Sequence, residues 1–332
     1  MSLDNQKEVP TRNIALELVR VTEAAALASG RWLGRGDKNG ADKAAVDAMR
    51  IVLNQLSIEG TIIIGEGEKD EAPMLFNGEK LGLGGSAFDI AVDPIDGTTL
   101  TAYGRDNAIS VIALSEKGTM FDPGPLMYMN KIAVGPKAIG SIDLDADVKT
   151  NLKNIASASS CQVNDLTVVI LDRPRHEQLI KDVRDAGARI KSIQDGDVAG
   201  AIAASWEGSG TDVLMGIGGT PEAVISAAAL KCLGGELIGR LYPRNEAEKN
   251  LAQDLGYDLD QILTTDDLVS GKDVFFAATG ISNGDFLDGV QYFGNGAKTY
   301  SLSMRSKSRT IRLVEAQHHL DKLREFSAIE FE

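Results

Sequence analysis

Cysteine is scarce in this chain, with only Cys161 and Cys232 among 332 residues. That is too few for a disulfide framework or a thiolate zinc site, and it points to a reduced compartment, the cytoplasm. Histidine is nearly as scarce, and His176, His318 and His319 form no Ser, His and acid arrangement that would mark a triad. No long apolar run is present, so no membrane helix is expected. Positive charge is also short: 34 Lys and Arg against 48 Asp and Glu give a net charge of −14. Nucleic acid and anionic membranes are disfavoured as partners, and an anionic ligand would have to be drawn by local cations. Residues 1–12 are polar, lack a signal peptide's apolar centre and read as a disordered lead-in.

What is present is ample core material. A hydrophobic share of 43% in 332 residues can fill a large core in one or two domains. Two helices are expected at about 13–29 and 41–57, followed mainly by strands, among them 108–115 and 131–135. From Leu166 to about residue 255 strands and helices alternate, which suggests an α/β unit with a partly parallel sheet. The acidic run 143–147 is the stretch most like a boundary, dividing an N-terminal domain at 13–145 from a C-terminal one at 146–332, with a site between them.

The most informative motif is Asp93-Pro94-Ile95-Asp96-Gly97-Thr98, which follows the buried-strand pattern of 88–92. Pro94 and Gly97 are expected to turn the chain, so that Asp93 and Asp96 converge. Mg²⁺ or Mn²⁺ takes oxygen ligands, commonly one or two carboxylates with water and substrate phosphate, so such a pair suits a catalytic ion. Gly97 and Thr98 add amides and a hydroxyl where an anion can dock. A second buried run, 61–64, leads into Gly65-Glu66-Gly67-Glu68, placing Glu66 at a strand's C-terminal end as Asp93 is. Asp42 falls in the first turn of the helix expected from 41 onward, where a carboxylate ordinarily just complements the helix dipole.

Cations follow later. The strand pattern 166–171 runs into Asp172-Arg173-Pro174-Arg175, with Pro174 suited to the first turn of a helix at 175–187. Two guanidiniums at a helix entry can clamp phosphate, although each could equally be a surface salt bridge. Asp195-Gly196-Asp197 follows the strand pattern 189–193 and can accept hydrogen bonds from hydroxyls. The run Gly216-Ile217-Gly218-Gly219 lacks the third glycine of a dinucleotide fingerprint, which argues against an NAD-dependent oxidoreductase. The basic segment 305–312 reads as an alternating exposed strand face.

Taken with Trp32-Leu33-Gly34-Arg35-Gly36-Asp37-Lys38-Asn39, Glu71-Ala72-Pro73-Met74-Leu75 and Gly216 to Glu222, these motifs resemble the class II fructose-1,6-bisphosphatases of bacteria. That family lies within the metal-dependent, lithium-sensitive sugar and inositol phosphatase superfamily, and the resemblance extends over about 13–320. It implies a layered α-β-α-β sandwich of the sugar phosphatase type. It also implies hydrolysis of the 1-phosphate of fructose 1,6-bisphosphate, a step of gluconeogenesis, with sedoheptulose 1,7-bisphosphate as a second candidate substrate. By the same resemblance Asp42, Glu66, Asp93, Asp96 and Glu222 are metal ligands, with Glu68 a neighbour. Thr98, Asp93 and Glu66 carry catalysis. Asp96, Gly97, Thr98, Tyr128, Arg173, Pro174, Arg175, Asp195, Gly196, Asp197 and Gly219 contact substrate. This chain has Asp96 where some members carry Glu, and Arg173 where many carry Lys. An inositol monophosphatase-like enzyme and a non-catalytic phosphate sensor are the alternatives, and a symmetric homo-oligomer, dimer or tetramer, is the base expectation.

Overall fold

The structure is a computed structural model that describes residues 14–67 and 74–321. The expectations placed on the lead-in and on Glu68, Lys69, Asp70, Glu71, Ala72 and Pro73 lie outside the described residues. The chain runs α1 (Ile14–Gly30), α2 (Lys38–Leu53), β1 (Ile58–Ile64), β2 (Lys80–Leu81), β3 (Ser86–Asp96), α3 (Thr98–Ala102) and β4 (Ile109–Glu116). It continues through β5 (Tyr128–Val134), α4 (Val148–Ala158), β6 (Thr167–Leu171), α5 (Glu177–Ala186), β7 (Arg189–Ile193), α6 (Asp197–Ala203), β8 (Val213–Gly219) and α7 (Thr220–Leu233). Then come β9 (Glu236–Leu241), α8 (Glu246–Asp254), β10 (Leu263–Thr264), α9 (Thr265–Leu268), β11 (Phe275–Gly280), β12 (Gln291–Phe293), β13 (Gly296–Arg305) and β14 (Thr310–His319).

Two mixed sheets result. The first has the order β12-β13-β11-β4-β3-β1-β2 with β14 on the other side of β13, and the second has the order β10-β9-β5-β8-β6-β7. Away from the bulged strand ends their interiors alternate. On β3, Ile90 and Val92 face the core built on α1 and α2, whereas Ala91 faces the opposite core with Val111 and Ala113 of β4. On the second sheet Val168, Ile170, Val213 and Met215 face α4 and α5, whereas Val169 and Leu214 face the same inner core as Ala91. Period-two burial on both faces is what a sheet covered on both sides requires.

The inner layer is carried by α7, whose residues Ala223, Val224, Ile225, Ala227, Ala228, Ala229 and Leu230 are all buried. A helix that is apolar and small all round has no solvent side, so it belongs between layers. The order is therefore α-β-α-β with a further α layer, α4 and α5, outside the second sheet. The partly parallel character expected of the second half is present, since β6 pairs in parallel with both β7 and β8.

Three local expectations are corrected. The chain does not leave the sheet after Val92: β3 continues to Asp96, with its register against β4 shifting between Asp93 and Asp96. An irregularity at the strand's end absorbs Pro94, and the turn comes only at Gly97, whose φ is 103°. The second helix begins at Lys38 because Asp37 caps it through Gly40 N, so Asp42 lies in its second turn. The basic segment is interrupted by a turn at 306–309, with Arg305 closing β13 and Thr310 to Arg312 opening β14, where exposure does alternate. The sheets also draw on the chain differently from a cut at residue 145, since β5 joins the second sheet and β11 to β14 return to the first.

Candidate active site

Glu66 is aimed by a bulge. Pairing of β1 with β3 shifts register between Ile62 and Ile64, so Ile62 packs toward α1 and α2 while Ile64 packs toward α7. A bulge re-aims the residues that follow, here into the space between the sheets. Leu75 then fixes the backbone, its carbonyl accepting from Glu66 N at 3.0 Å. Gly65 is required at this crossing, because a Cβ there would sit 2.0 Å from Leu75 O.

Asp93 and Asp96 occupy the irregular end of β3. Asp93 Oδ1 accepts from Ile95 N at 3.1 Å, and buried Asp96 Oδ2 accepts from Ala199 N at 2.8 Å. Thr99 N in turn donates to Asp195 Oδ2 at 3.1 Å, so the end of β3 and the β7–α6 connection are bonded twice across the two sheets. Thr98 stands between these anchors, half-buried, its hydroxyl donating to Ile95 O over a long 3.3 Å. Lys38 Nζ donates to Thr99 Oγ1 at 2.8 Å, which brings the first turn of α2 to the same place.

Glu222, on the third residue of α7, folds back over the helix start. Gly219 makes room for it, since a Cβ there would stand 1.6 Å from Glu222 Oε2. That carboxylate oxygen is buried and finds no donor among the described residues. Beside it lies Lys131, a side chain only 1% exposed, which pairs with Asp197 Oδ2 at 2.6 Å and donates to Gly219 O at 3.0 Å. The carboxylate of Asp197 is thus turned to a buried cation, and Gly196, with φ 83°, supplies the turn into α6. Sequence reasoning missed Lys131, which reads as an ordinary polar position within β5.

The carboxylates oppose one another's charge. Burial, then Asp42 and Glu222, lifts Glu66 to about 7; burial and Asp197, offset in part by Lys131, lift Glu222 to about 7. Burial raises Asp93 well above the usual carboxylate range, with Asp96, Glu66, Glu222 and Asp195 adding to it, and burial also raises Asp96 and Asp42. Among the described residues no three His, Cys, Asp or Glu groups close into a preformed cage. An open, all-oxygen set still fits a hard divalent ion that keeps water and phosphate in its shell, and the orphaned oxygen of Glu222 is an atom of the kind such an ion takes.

A pH dependence follows with a definite sign. A carboxyl whose folded pKa is raised contributes stability that is full below its unfolded value, near 4.5, and is lost as pH rises through about 7. A lift of that size at Glu66 is worth about 3 kcal/mol. In chelator the melting temperature is expected to fall between about pH 5 and about pH 8, and a divalent ion to restore more of it at the upper end. Differential scanning calorimetry with and without ion checks this; an ion effect independent of pH would contradict it.

The cationic side is built on β6, β8 and β5. Pro174 opens a single 3-10 turn ahead of α5, and buried His176 bridges two strands: Nδ1 lies 2.7 Å from Leu171 O, and Ile217 N donates to Nε2 at 2.8 Å. This holds the end of β8, where Gly216 takes φ 124°. Arg175 donates through Nε and Nη2 to Ile217 O at 3.1 and 2.7 Å and lies 5.3 Å from the Tyr128 ring centre. Arg173 donates to Asp172 O and Gln194 O at 2.9 and 2.8 Å. Tyr128 stands opposite Gly219 in the β5–β8 pairing, which joins the cationic side to the acidic one.

Two sheets enclosing a helical layer, with an acidic cluster facing guanidiniums where strand ends meet helix starts, define an α/β sandwich equipped to hold a cation beside an anionic ligand. The family described as bacterial fructose-1,6-bisphosphatase, glpX-encoded, matches residues 12–318, and the chain belongs to it. Fructose-1,6-bisphosphatase 1 class 2 of Escherichia coli K12 is 48% identical over 325 residues, covering 94% of this chain and 96% of that protein. Fructose-1,6-bisphosphatase class 2 of Shigella flexneri is similar to the same extent, 48% over 325 residues with the same coverage.

Proposed function

We propose that this chain hydrolyses the 1-phosphate of fructose 1,6-bisphosphate, giving fructose 6-phosphate and phosphate, with Mg²⁺ or Mn²⁺ as the required ion. The observation that carries this reading is the mutual charge of half-buried Glu66, Asp93 and Glu222 and buried Asp96 at one place, in a member of this family. Those four side chains, with Asp42 nearby, would hold the ion. When bound there, the ion supplies charge stabilisation for phosphoryl oxygens and lowers the pKa of a water.

The chain's own residues do the rest. Thr98 Oγ1 orients the attacking water, its proton directed to Ile95 O and its lone pairs left for the incoming donor. The water oxygen bonds to phosphorus as the ester bond to O1 breaks, and a proton from that water ends on the sugar's O1. Lys131 keeps Asp197 and the start of α7 fixed, so Glu222 stays aimed. Arg175 and Tyr128 seat the phosphate that is not cleaved, which favours a bisphosphate over an inositol monophosphate.

The test is phosphate release from fructose 1,6-bisphosphate, sedoheptulose 1,7-bisphosphate and inositol 1-phosphate, each with Mg²⁺, Mn²⁺ or chelator. Ion-dependent release from the fructose substrate and little from inositol phosphate is expected. Tight ion-dependent binding without release would favour a sensor instead.

A further inference from the structure

Arg244 lies beside Tyr128, the ring that the bisphosphate reading gives to the retained phosphate. Its guanidinium carbon is 5.4 Å from the centre of the Tyr128 ring, and that of Arg175 is 5.3 Å from the same centre. The connection between β9 and α8 is tied to that tyrosine by its backbone, Tyr242 N donating to Tyr128 O at 2.8 Å. Glu248 then fixes Arg244 twice, accepting from its backbone N and from its Nε, both at 2.7 Å. Asn245 between them caps α8 through Glu248 N, so the loop geometry is set before any ligand arrives.

Two guanidiniums on one ring repel each other, and Glu248 offsets only one of them. Arg175 spends Nε and one Nη on Ile217 O, and Arg244 spends Nε and one Nη on Glu248. Each still has N–H donors free of those bonds, and a phosphate dianion supplies the missing negative charge while accepting from both forks. Arg173, expected from sequence to contact the phosphate as well, donates to the backbone carbonyls of Asp172 and Gln194.

We propose that Arg244, with Arg175 beside the same Tyr128 ring, is the specificity-determining cation for the phosphate that is retained. This rests on the bisphosphate reading above. The side chain of Arg244 selects substrates bearing a second phosphate and takes no part in breaking the first ester.

The experiment compares Arg244→Ala and Arg244→Lys with the wild-type chain on fructose 1,6-bisphosphate and on fructose 1-phosphate, which lacks the distal group. Loss of charge-assisted hydrogen bonds to a phosphate is expected to raise KM for the bisphosphate about 10- to 100-fold in Arg244→Ala, with kcat within about threefold. The ratio of kcat/KM for bisphosphate over monophosphate should fall by the same factor, with Arg244→Lys in between because it keeps charge but loses the fork. An unchanged ratio, whether both substrates suffer equally or neither does, would overturn the proposal. A wild-type chain with no preference for the bisphosphate would overturn the underlying reading, whatever Arg244 does.

Discussion

Asp93→Asn is expected to cut kcat by at least about 10³-fold, with excess Mg²⁺ or Mn²⁺ failing to restore it, while the ion-free protein becomes more stable. The two effects have one cause. Asp93 is half-buried beside Asp96, Glu66, Glu222 and Asp195, and its carboxyl is raised well above its usual range by desolvation and those charges. An amide of the same shape carries no charge to desolvate and adds none to its neighbours, so the fold gains what the site loses. The gain should grow with pH, because the penalty grows as the carboxyls ionise. Melting curves in chelator at about pH 8, set beside steady-state turnover, separate this from a general folding defect. A variant that is both inactive and less stable would mean that Asp93 is a structural residue.

Thr98→Ala is expected to lower kcat about 100-fold or more, with KM changed less than about threefold, while Thr98→Ser keeps most activity. Among the described residues the hydroxyl is held by a single long bond, 3.3 Å to Ile95 O, so its removal leaves no tightly bonded partner stranded. The melting temperature should therefore hardly move. Its position, one residue after the Gly97 turn and beside Thr99, which is tied to both Asp195 and Lys38, leaves the hydroxyl well located for positioning water. An unchanged kcat in Thr98→Ala would remove Thr98 from the reaction.

Much of this was legible in the sequence because the informative residues lie at the ends of short apolar runs. Glu66 follows β1, Asp93 and Asp96 close β3, Arg173 and Arg175 follow β6, Asp195 and Asp197 follow β7, and Glu222 opens α7 after β8. Period and punctuation are local signals, and in an α/β protein they mark the strand ends where ligands gather. What was not legible is non-local. Lys131 looks like a polar strand residue until Asp197 and Gly219 O arrive from other elements to satisfy it. Arg244 sits in Arg-Asn-Glu-Ala-Glu, a solvated helix entry by any sequence criterion, and only the tie from Tyr242 to Tyr128 brings it to the site. The return of β11 to β14 to the first sheet was hidden for the same reason, as pairing partners such as Phe275 and Leu114 carry no mark of each other. Pro94 misled in a different way: it signals a break, but a register shift at the strand's end let β3 run on to Asp96.

Glu66, Asp93, Asp96 and Glu222 are proposed together to hold the ion on which fructose 1,6-bisphosphate hydrolysis depends. The most direct test of this is anomalous diffraction from crystals of the active enzyme soaked in Mn²⁺. Manganese peaks bounded by oxygens of those carboxylates, with Glu222 Oε2 among the ligands, are expected, as is loss of the peak nearest Asp93 in Asp93→Asn. Manganese bound only elsewhere, in crystals of enzyme that turns over the substrate, would contradict it.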